Sequence, residues 1–334
     1  REWVRWRSSG EATPRVYYGF DRIPQRHEVA QGGIVKLQDL QDRFPNHARR
    51  PNLLYLVSSA APVAADVMAR MARRKGARGV VNQNGVAYPA WYGPGWETIN
   101  IPMARLLGQA HHIVYQSNFC KLSADRYLGQ PKGSWEILYN PVDTRVFLPK
   151  EGCAETPTVR VLLAGSHGQW YRVASALETL AAGRARGLAM TLVVAGRYAW
   201  GSSPVEAGRE AREYARKLGV HNWVEWRGPY TQQEVVPLLQ SAHVLLHTKY
   251  NDPCPRLVVE AMACGLPVVY SASGGVPELV GDQAGVGVPA PLDYEQDHPP
   301  GGVELAGALE RVVQNRRACA TAARERAVRL FDVR

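Results

Sequence analysis

Short apolar runs alternate with stretches of helical periodicity along most of the chain. In the first half, the apolar runs predict strands at residues 15–20, 52–59, 77–85, 111–117 and 135–140. Between them the apolar spacing predicts helices at residues 31–44, 62–76 and 97–110, with one more helix before the fifth strand. Strands that alternate with helices in this way indicate a parallel sheet covered on both faces.

Residues 140–158 interrupt this pattern, because they are rich in turn residues and have neither periodicity. The alternation then restarts, with strands predicted at residues 159–165, 189–196, 223–228, 243–248 and 266–272. The intervening helices are predicted at residues 172–187, 204–219, 231–242 and 256–265. The sequence therefore predicts an α/β chain with two parallel-sheet domains, residues 1–141 and 142–334. Ligands of such sheets bind outside the carboxyl ends of the strands.

The positive charge of the chain is concentrated in its first half. Residues 1–150 hold 21 of the 40 Lys and Arg and 11 of the 30 Asp and Glu, which leaves 19 of each for the rest, so the whole net charge of +10 lies before residue 151. A basic half attracts an anionic membrane surface, an anionic acceptor or nucleic acid. A basic surface without such a partner is the alternative. Since no nucleic-acid-binding motif accompanies the charge, we expect no nucleic-acid partner.

The cysteine pattern and the hydropathy favour a cytoplasmic location. The five cysteines are an odd number without a C-x-x-C pair, which argues against a disulfide framework or a Cys-rich zinc site and suits a reducing compartment. No apolar run reaches the roughly 20 residues that a membrane-spanning helix needs.

Two glycine-bearing loops are candidate anion sites. Gly32 and Gly33 open a predicted helix, where backbone N–H groups can approach an anion, although an ordinary turn is the alternative. The loop GSHGQWYR, residues 165–172, follows the first strand of the second predicted domain. It matches neither G-x-G-x-x-G nor the P-loop. A phosphate site and a merely polar loop are both compatible with it.

The stretch NDPCPRLVVE, residues 251–260, brings two carboxylates, Asp252 and Glu260, to the start of a predicted helix. Its two prolines remove backbone donors from the helix entrance. The N–H groups of Cys254, Arg256 and Leu257 are then expected to point out of the helix start. In the structural alternative, Asp252 caps the helix and Glu260 pairs with Arg256.

Two later stretches are also rich in candidate residues. SGGVPELV, residues 273–280, is another Gly-Gly turn at a helix start. DYEQDH, residues 293–298, collects three acids and a histidine, but its Pro-rich surroundings favour a solvated loop over a metal site.

Residues 251–290 resemble the signature of the family-4 glycosyltransferases. That signature is an acid, seven residues, a Glu, then Ala-Met-Ala-x-Gly-x-Pro-Val-Val and later Gly-Gly-x-Pro-Glu. ILYNPVDTRVF, residues 137–147, is similar to the interdomain stretch of that family, and the Gly32-Gly33 pair is similar to its N-domain turn. The resemblance is strong over residues 134–330. It implies the GT-B fold, with two Rossmann-like parallel-sheet domains facing across a cleft, the acceptor in the first domain and a nucleotide sugar in the second.

The resemblance also implies roles for single residues. Glu260 would hold the ribose hydroxyls, and Asp252 would lie beside the transferred sugar. Asp252 is the catalytic residue that the resemblance implies, and Arg172 and Lys249 are added to it as catalytic candidates. The implied donor-binding residues are Gly32, Gly33, Gly165, Ser166, His167, Arg197, Gly228, Tyr230, Cys254, Arg256, Leu257 and Glu260. The family needs neither a metal nor a cofactor, and a UDP-sugar or a GDP-sugar is the expected donor.

The chain departs from the family pattern at several of these positions. Asp252 stands where the family usually has Glu, and Pro255 replaces a Gly. Ser166 and Tyr171 occupy the places of the Arg and Lys that neutralise the diphosphate. Arg172 comes one residue late, and Lys249, where the family tends to have Ser, is a substitute in space by hypothesis. In the first domain, Asn82, Gln83 and Asn84 occupy the place of a family His.

The expected activity is transfer of a sugar from a nucleotide-diphosphate sugar to an acceptor hydroxyl, with retention of anomeric configuration and without a metal. The acceptor would be a glycan, a lipid-linked molecule or a small molecule. The basic first half adds the hypothesis of peripheral contact with an anionic membrane at its inner face. A catalytically silent nucleotide-sugar-binding protein and a nucleotide-sugar 2-epimerase of the same fold are the alternatives.

Overall fold

The computed structural model describes residues 13–25, 28, 32–150 and 157–334 of the chain. Residues 1–12 of the predicted first domain and residue 31 of the first predicted helix lie outside these ranges. The chain forms two compact units. Unit 1 comprises residues 1–139 together with 294–296, and unit 2 comprises residues 140–293 and 297–334. The chain thus first passes into unit 2 at the start of its turn-rich stretch.

Unit 1 contains a parallel sheet of five strands that lie side by side in the order of the sequence. The strands are β1 (Val16–Tyr17), β2 (Leu53–Val57), β3 (Arg78–Gln83), β4 (His112–Tyr115) and β5 (Ser134–Ile137). The helices are α1 (Gly32–Leu40), α2 (Ala65–Arg74), α3 (Pro89–Tyr92), α4 (Trp96–Leu107) and α5 (Asn118–Tyr127). The central strands bury Leu54, Leu56 and Ile113 almost completely, which holds the helices against the sheet.

A cluster of aromatic rings packs within unit 1. Tyr294, which lies on the returning segment 294–296, is 4% exposed. Its ring centroid lies 5.1 Å from that of Tyr88, 5.4 Å from that of Tyr127 and 5.8 Å from that of Phe119. Its carbonyl accepts a hydrogen bond from the N–H of Ala90 at 3.0 Å. A short segment from late in the chain therefore completes the packing of unit 1.

Unit 2 contains a parallel sheet of six strands. The strands are β6 (Val159–His167), β7 (Met190–Tyr198), β8 (Val224–Arg227), β9 (Val244–His247), β10 (Val268–Ala272) and β11 (Gly285–Pro289). The helices are α6 (Tyr171–Ala185), α7 (Pro204–Lys217), α8 (Gln232–Gln240), α9 (Arg256–Ala263), α10 (Val276–Val280), α11 (Gly302–Gln314) and α12 (Arg316–Leu330). None of the helices described in either unit is long and apolar enough to span a bilayer.

The strand order of unit 2 reverses at β6. The sheet runs β11, β10, β9, β6, β7, β8, so the chain builds outwards from β6 in one direction and then in the other. Strand interiors on both sides of this point are fully buried, for example Leu162, Val193 and Leu245 at 0% exposure. In open α/β sheets, ligands bind at the carboxyl ends of the strands where the order reverses. The carboxyl ends of β6 and β9 are therefore the expected position of a ligand-binding site.

The structure corrects some of the predicted boundaries. β6 continues to His167, so residues 165–167 belong to the strand and not to the loop after it. The reason is that β6 keeps its register with β7 through Gly165 and His167. The helix predicted at residues 31–44 ends at Leu40, and the strand predicted at residues 15–20 is limited to Val16–Tyr17.

Candidate functional site

Three glycines bring the ends of neighbouring strands close together in unit 2. Gly165 and Gly196 are register partners with φ of +109° and +119°, which side-chain-bearing residues rarely adopt. A Cβ at Gly196 would lie 1.9 Å from the carbonyl oxygen of Gly165. The N–H of Gly196 donates to the carbonyl of Gly228 at 3.0 Å. A Cβ at Gly165 would lie 3.9 Å from Leu257, so this backbone surface borders the start of α9.

The residues that follow these glycines point alternately outwards and inwards. Ser166 and Arg197 are register partners, and both are exposed. His167 is instead completely buried, and its Nε2 lies 3.0 Å from the carbonyl of Ala195. Burial, with a smaller contribution from the charge of Arg172, lowers the pKa of His167 to about 3. The side chain of His167 thus faces the core, as every second side chain of a strand does, and its contact with a donor stays a prediction.

Asp252 is held by a histidine and a lysine in the loop after β9. Its side chain is nearly buried, with His247 Nε2 3.1 Å from Oδ2 and Lys249 Nζ 3.4 Å from Oδ1. Burial alone would raise the pKa of Asp252, but Lys249, His247 and Arg172 hold it well below its usual range. The carboxyl group is therefore ionised. The N-cap position of α9 is Pro255, with no capping side chain, which rules out the cap role for Asp252.

His247 is the residue of this site that sequence reasoning missed. It is the last residue of β9 and is 3% exposed. Burial lowers the pKa of His247, although Asp252 counteracts this, so the ring is neutral and its Nε2–H donates to the carboxylate. The signal in the sequence was a histidine at a strand end five residues before an acid, and it is weak without the fold.

The turn at Gly274 and Gly275 supports the backbone of the loop that contains Asp252. Gly274 has a φ of +66°, and a Cβ there would lie 2.4 Å from the carbonyl oxygen of Asp252. The N–H of Gly275 donates to that same carbonyl at 2.9 Å. Ser273 Oγ accepts from the N–H of Asn251 at 2.8 Å. The role of this turn is thus to fix the backbone around Asp252.

Arg172 links the end of β6 to the Asp252 loop. Its side chain is 6% exposed, and its Nη1 donates to the carbonyl of Ser166. The carbonyl of Arg172 accepts from Thr248 Oγ1 at 2.7 Å. Burial lowers the pKa of Arg172, and the charge of Asp252 opposes that effect. The structure therefore brings Arg172, Lys249 and Asp252 together.

Glu260 lies one helical turn into α9. It is 9% exposed and accepts a hydrogen bond from Arg256 Nε at 2.7 Å, as expected for an i, i+4 pair. Burial, with a smaller contribution from the charge of Glu260, raises the pKa of Tyr230 to about 12. Tyr230, from the loop after β8, therefore lies close to Glu260.

The remaining predicted residues lie in two places. Cys254 is buried, and its carbonyl accepts from Asn140 Nδ2 at 2.9 Å. Gly32 and Gly33 are the first described residues of α1 in unit 1. A Cβ at Gly33 would lie 2.7 Å from that of Ala60, so this glycine allows a close approach of two segments.

No group of three or more His, Cys, Asp and Glu that could hold a metal ion occurs within the described residues. In the stretch 293–298, His298 Nε2 pairs with Asp293 Oδ2 at 2.8 Å. Tyr294 of the same stretch is buried, so the prediction of a wholly solvated loop is wrong there. The reason is the aromatic packing of unit 1.

This arrangement can stabilise negative charge beside an ionised carboxylate. Lys249 and Arg172 supply positive charge, and the first N–H groups of α9 lie outside the intrahelical hydrogen-bond ladder. Helix N-termini and cations both favour an anion such as a phosphate. Residues 158–299, which contain all of these groups, match the family model "Glycosyl transferases group 1".

The matched stretch covers less than half of the 334 residues of the chain. Two similar proteins are both named D-inositol 3-phosphate glycosyltransferase. The one from Streptomyces bingchenggensis is 37% identical over 86 residues, which are 25% of this chain and 19% of that protein. The one from Salinispora tropica is 30% identical over 169 residues, which are 50% of this chain and 32% of that protein. The chain thus spans about a third or less of these curated relatives.

Solved structures that are similar to the chain also cover residues outside 158–299. Sucrose-phosphate synthase from Thermosynechococcus elongatus has a TM-score of 0.67 at 18% identity, covering 89% of this chain and 72% of that one. Anabaena HepE in complex with UDP has a TM-score of 0.69 at 19% identity, covering 90% and 78%. These likenesses show the fold, which is the GT-B fold of two Rossmann-like α/β domains.

Proposed function

We propose that the protein is a glycosyltransferase that moves a sugar from a nucleotide-diphosphate sugar to an acceptor hydroxyl. The observation that carries the proposal is the pair of nearly buried carboxylates, Asp252 and Glu260, at the strand-order reversal of a group 1 domain. Buried carboxylates with cationic partners in a position suited to ligands are functional-site candidates.

The donor-binding role is assigned to unit 2. Glu260 would accept hydrogen bonds from the ribose hydroxyls, with Arg256 holding it in place. Tyr230 would lie near the base. Because structures of Anabaena HepE contain UDP and UDP-glucose, a UDP-sugar is the first donor to test, and a GDP-sugar is the second.

The chemistry follows from the charges that develop when the bond between sugar and phosphate breaks. Negative charge grows on the leaving diphosphate, where Lys249, Arg172 and the start of α9 would stabilise it. Positive charge grows on the sugar ring, where the Asp252 carboxylate would stabilise it. His247 keeps that carboxylate in one orientation. Removing a preorganised group of this kind typically costs about 10²–10³ in turnover.

Retention and metal independence are the finer parts of the proposal. In a retaining reaction, the acceptor attacks on the face that the diphosphate leaves, and the leaving phosphate takes the acceptor proton. The cations around Asp252 would supply the charge compensation that a metal supplies elsewhere. The anomeric configuration of the product, read by NMR, tests the first point. Undiminished turnover in EDTA tests the second.

The acceptor would bind the first domain, residues 1–141. The net charge of +10 lies before residue 151, which favours an anionic acceptor, whether a glycan, a lipid-linked molecule or a small molecule. The two relatives described above are named for an inositol phosphate, a small anionic molecule. That makes phosphorylated polyols a reasonable first acceptor set.

The test of the donor role uses Glu260→Ala. This change should weaken binding of the nucleotide sugar by about tenfold or more, since it removes a charged acceptor of hydrogen bonds. Isothermal titration with UDP-glucose and GDP-mannose measures it. Glu304→Ala, which changes an exposed acid of α11, is the matched control. Equal affinity of Glu260→Ala and the native chain would refute the assignment.

A catalytically silent nucleotide-sugar-binding protein is the second candidate. It is favoured by the pairing of both Asp252 oxygens, one with His247 and one with Lys249, and by Pro255, which has no N–H to donate at the helix entrance. Donor hydrolysis distinguishes the two. Binding without any turnover of common nucleotide sugars would support the silent protein, and turnover would support the enzyme. A 2-epimerase would instead interconvert the free nucleotide sugars.

Peripheral membrane contact at the inner face belongs to the proposal as well, with a cytoplasmic location. Helix α2 carries Arg70, Arg73 and Arg74, and the exposed side chain of Val67 lies on the same helix. Basic residues near an anionic surface contribute about 1 kcal/mol each. Co-sedimentation with phosphatidylserine vesicles at low salt should therefore exceed that with neutral vesicles. Equal sedimentation would contradict membrane contact.

A further inference from the structure

A cavity opens at the amino ends of the unit 2 strands, opposite the strand ends that lie near Asp252. It has a volume of about 210 Å³ and lies by the amino ends of β9 and β10, where its lining includes His243 and Leu266. Sites for drug-sized ligands measure roughly 300–1,000 Å³. The cavity is therefore too small for a nucleotide sugar and has the size for a small ion or head group.

The lining of this cavity is strongly basic. It includes Lys150, His243, Arg316 and Arg317, and no Asp or Glu is among its described residues. Within the described part of the chain, the side chains of Lys150 and Arg316 form neither a hydrogen bond nor an ion pair. Cations without counter-charges repel one another, so their convergence favours an anion between them.

His243 reports the same excess of positive charge. Burial lowers its pKa, and Arg316, Arg160 and Lys150 lower it further. Its Nδ1 accepts the N–H of Arg160 at 2.9 Å, so in the neutral ring the proton is on Nε2. The histidine can thus contribute a donor without needing a charge.

The first residues of helix α12 contribute to the positive charge of the cavity lining. The helix is 15 residues long and begins with Arg316 and Arg317, with no acid in its first turn. Cations at a helix N-terminus oppose the helix dipole. An anion at this position would compensate both the dipole and the two arginines, which gives the sequence a physical reason for an otherwise unfavourable pair.

We propose that this cavity is a binding site for a phosphate-type oxyanion. It is distinct from the donor site, which lies at the carboxyl ends of the strands. The ligand class is inorganic phosphate or a phosphate monoester. Lys150 and Arg316 would supply the main charge-assisted hydrogen bonds. The apolar part of the lining, formed by Ala242, Cys264 and Leu266, would limit access of water to the bound anion.

The test is a titration of the full chain with inorganic phosphate at constant ionic strength. Thermal shift and isothermal titration calorimetry measure the binding. Lys150→Gln and Arg316→Gln should each weaken phosphate binding by about tenfold or more. Arg209→Gln, which removes an exposed charge of α7, is the matched control and should bind like the native chain. Unchanged melting temperatures without phosphate would show that the variants are folded.

A further arm separates this cavity from the donor site. Lys249→Gln removes a cation beside Asp252 and should leave phosphate binding at the cavity intact. The proposal is overturned if Lys249→Gln abolishes binding while Arg316→Gln does not, or if the native chain shows no saturable response. Glycerol phosphate as a second probe identifies the source. Tighter binding of the ester supports an organic phosphate, and tighter binding of inorganic phosphate supports the free ion.

Discussion

The carboxyl ends of the two sheets carry different chemistry. In unit 1 the buried side chains at the carboxyl ends of the strands are mainly amides and hydroxyls. Asn82 Oδ1 accepts from Gln116 Nε2 at 2.6 Å, and Ser58 Oγ donates to Asn84 Oδ1 at 2.6 Å. In unit 2 the carboxyl ends of the strands carry buried ionised groups around Asp252.

The strand order accounts for much of this difference. The described strands of unit 1 follow one another in sequence order, whereas the order in unit 2 reverses at β6. A reversal sends the chain away from β6 on both sides and opens a crevice at the strand ends. A crevice can hold a charged ligand, and a row of amides suits neutral hydroxyls. The comparison is consistent with a donor in unit 2 and an acceptor in unit 1.

The largest effect is expected for Asp252→Asn. Loss of the negative charge should lower turnover by about 10²–10³ while donor affinity changes less than about threefold. Steady-state kinetics combined with donor titration measure both quantities. Asp282→Asn, an exposed acid of the same unit, is the control. Full turnover of Asp252→Asn would show that charge at the reversal is not used in the reaction.

Gly196→Ala should cost about 3 kcal/mol or more of unfolding free energy. The alanine would have to adopt a φ of +119° and place its Cβ 1.9 Å from the carbonyl of Gly165. Urea denaturation measures the loss. Gly228→Ala is a close control, since a Cβ there meets nothing within 4 Å and its φ is not positive. Similar stability of the two variants would contradict the close approach of the strands.

Acid should destabilise unit 2 through its buried histidines. The pKa of His167 is about 3 in the folded chain, against about 6.5 when unfolded. The unfolded chain therefore takes up the proton first, so the stabilisation is complete above about pH 6.5 and falls by about 1.4 kcal/mol per pH unit towards pH 3. His167→Gln should flatten this slope in urea titrations between pH 6.5 and 4. The exposed His221→Gln is the control, and equal slopes for native and His167→Gln would count against the burial argument.

A smaller effect is expected for Asn82→Ala in unit 1. It removes the acceptor of Gln116 and the donor to Tyr55, which should cost about 1–3 kcal/mol of unfolding free energy. Donor affinity should stay unchanged, while the KM for acceptor should rise. Asn52→Ala, which removes two hydrogen bonds at the amino end of β2, is the control and should lower stability without raising the KM for acceptor. A weakened donor with an unchanged acceptor KM would reverse the assignment of the two units.

Much of the fold could be predicted from the sequence because strand and helix periodicities are local. The runs at residues 52–59 and 159–165 correspond to β2 and β6, and the helix predicted at residues 204–219 corresponds to α7. β11, α11 and α12 were not predicted. β11 contains only Gly, Val and Pro, and α12 has little one-sided apolar character. Its core contacts rest on Ala323 and Ala327.

The site was less predictable than the fold, because its contacts join distant parts of the chain. Asp252 and Glu260 could be selected from one short stretch. The link between Arg172 and Thr248 spans 76 positions and depends on β6 and β9 being neighbours. The core position of His167 depended on how far β6 extends, which is set by pairing with β7 and not by the local sequence.

The return of residues 294–296 to unit 1 has a consequence for dissecting the protein. A recombinant fragment that stops at Tyr139 would lack Tyr294, and the rings of Tyr88, Phe119 and Tyr127 would lose a shared neighbour. The gene segment for unit 1 is thus discontinuous, so the two units cannot be separated by a single cut in the coding sequence. An excised first half should expose an aromatic surface and self-associate, unless a peptide carrying the missing tyrosine is supplied in trans.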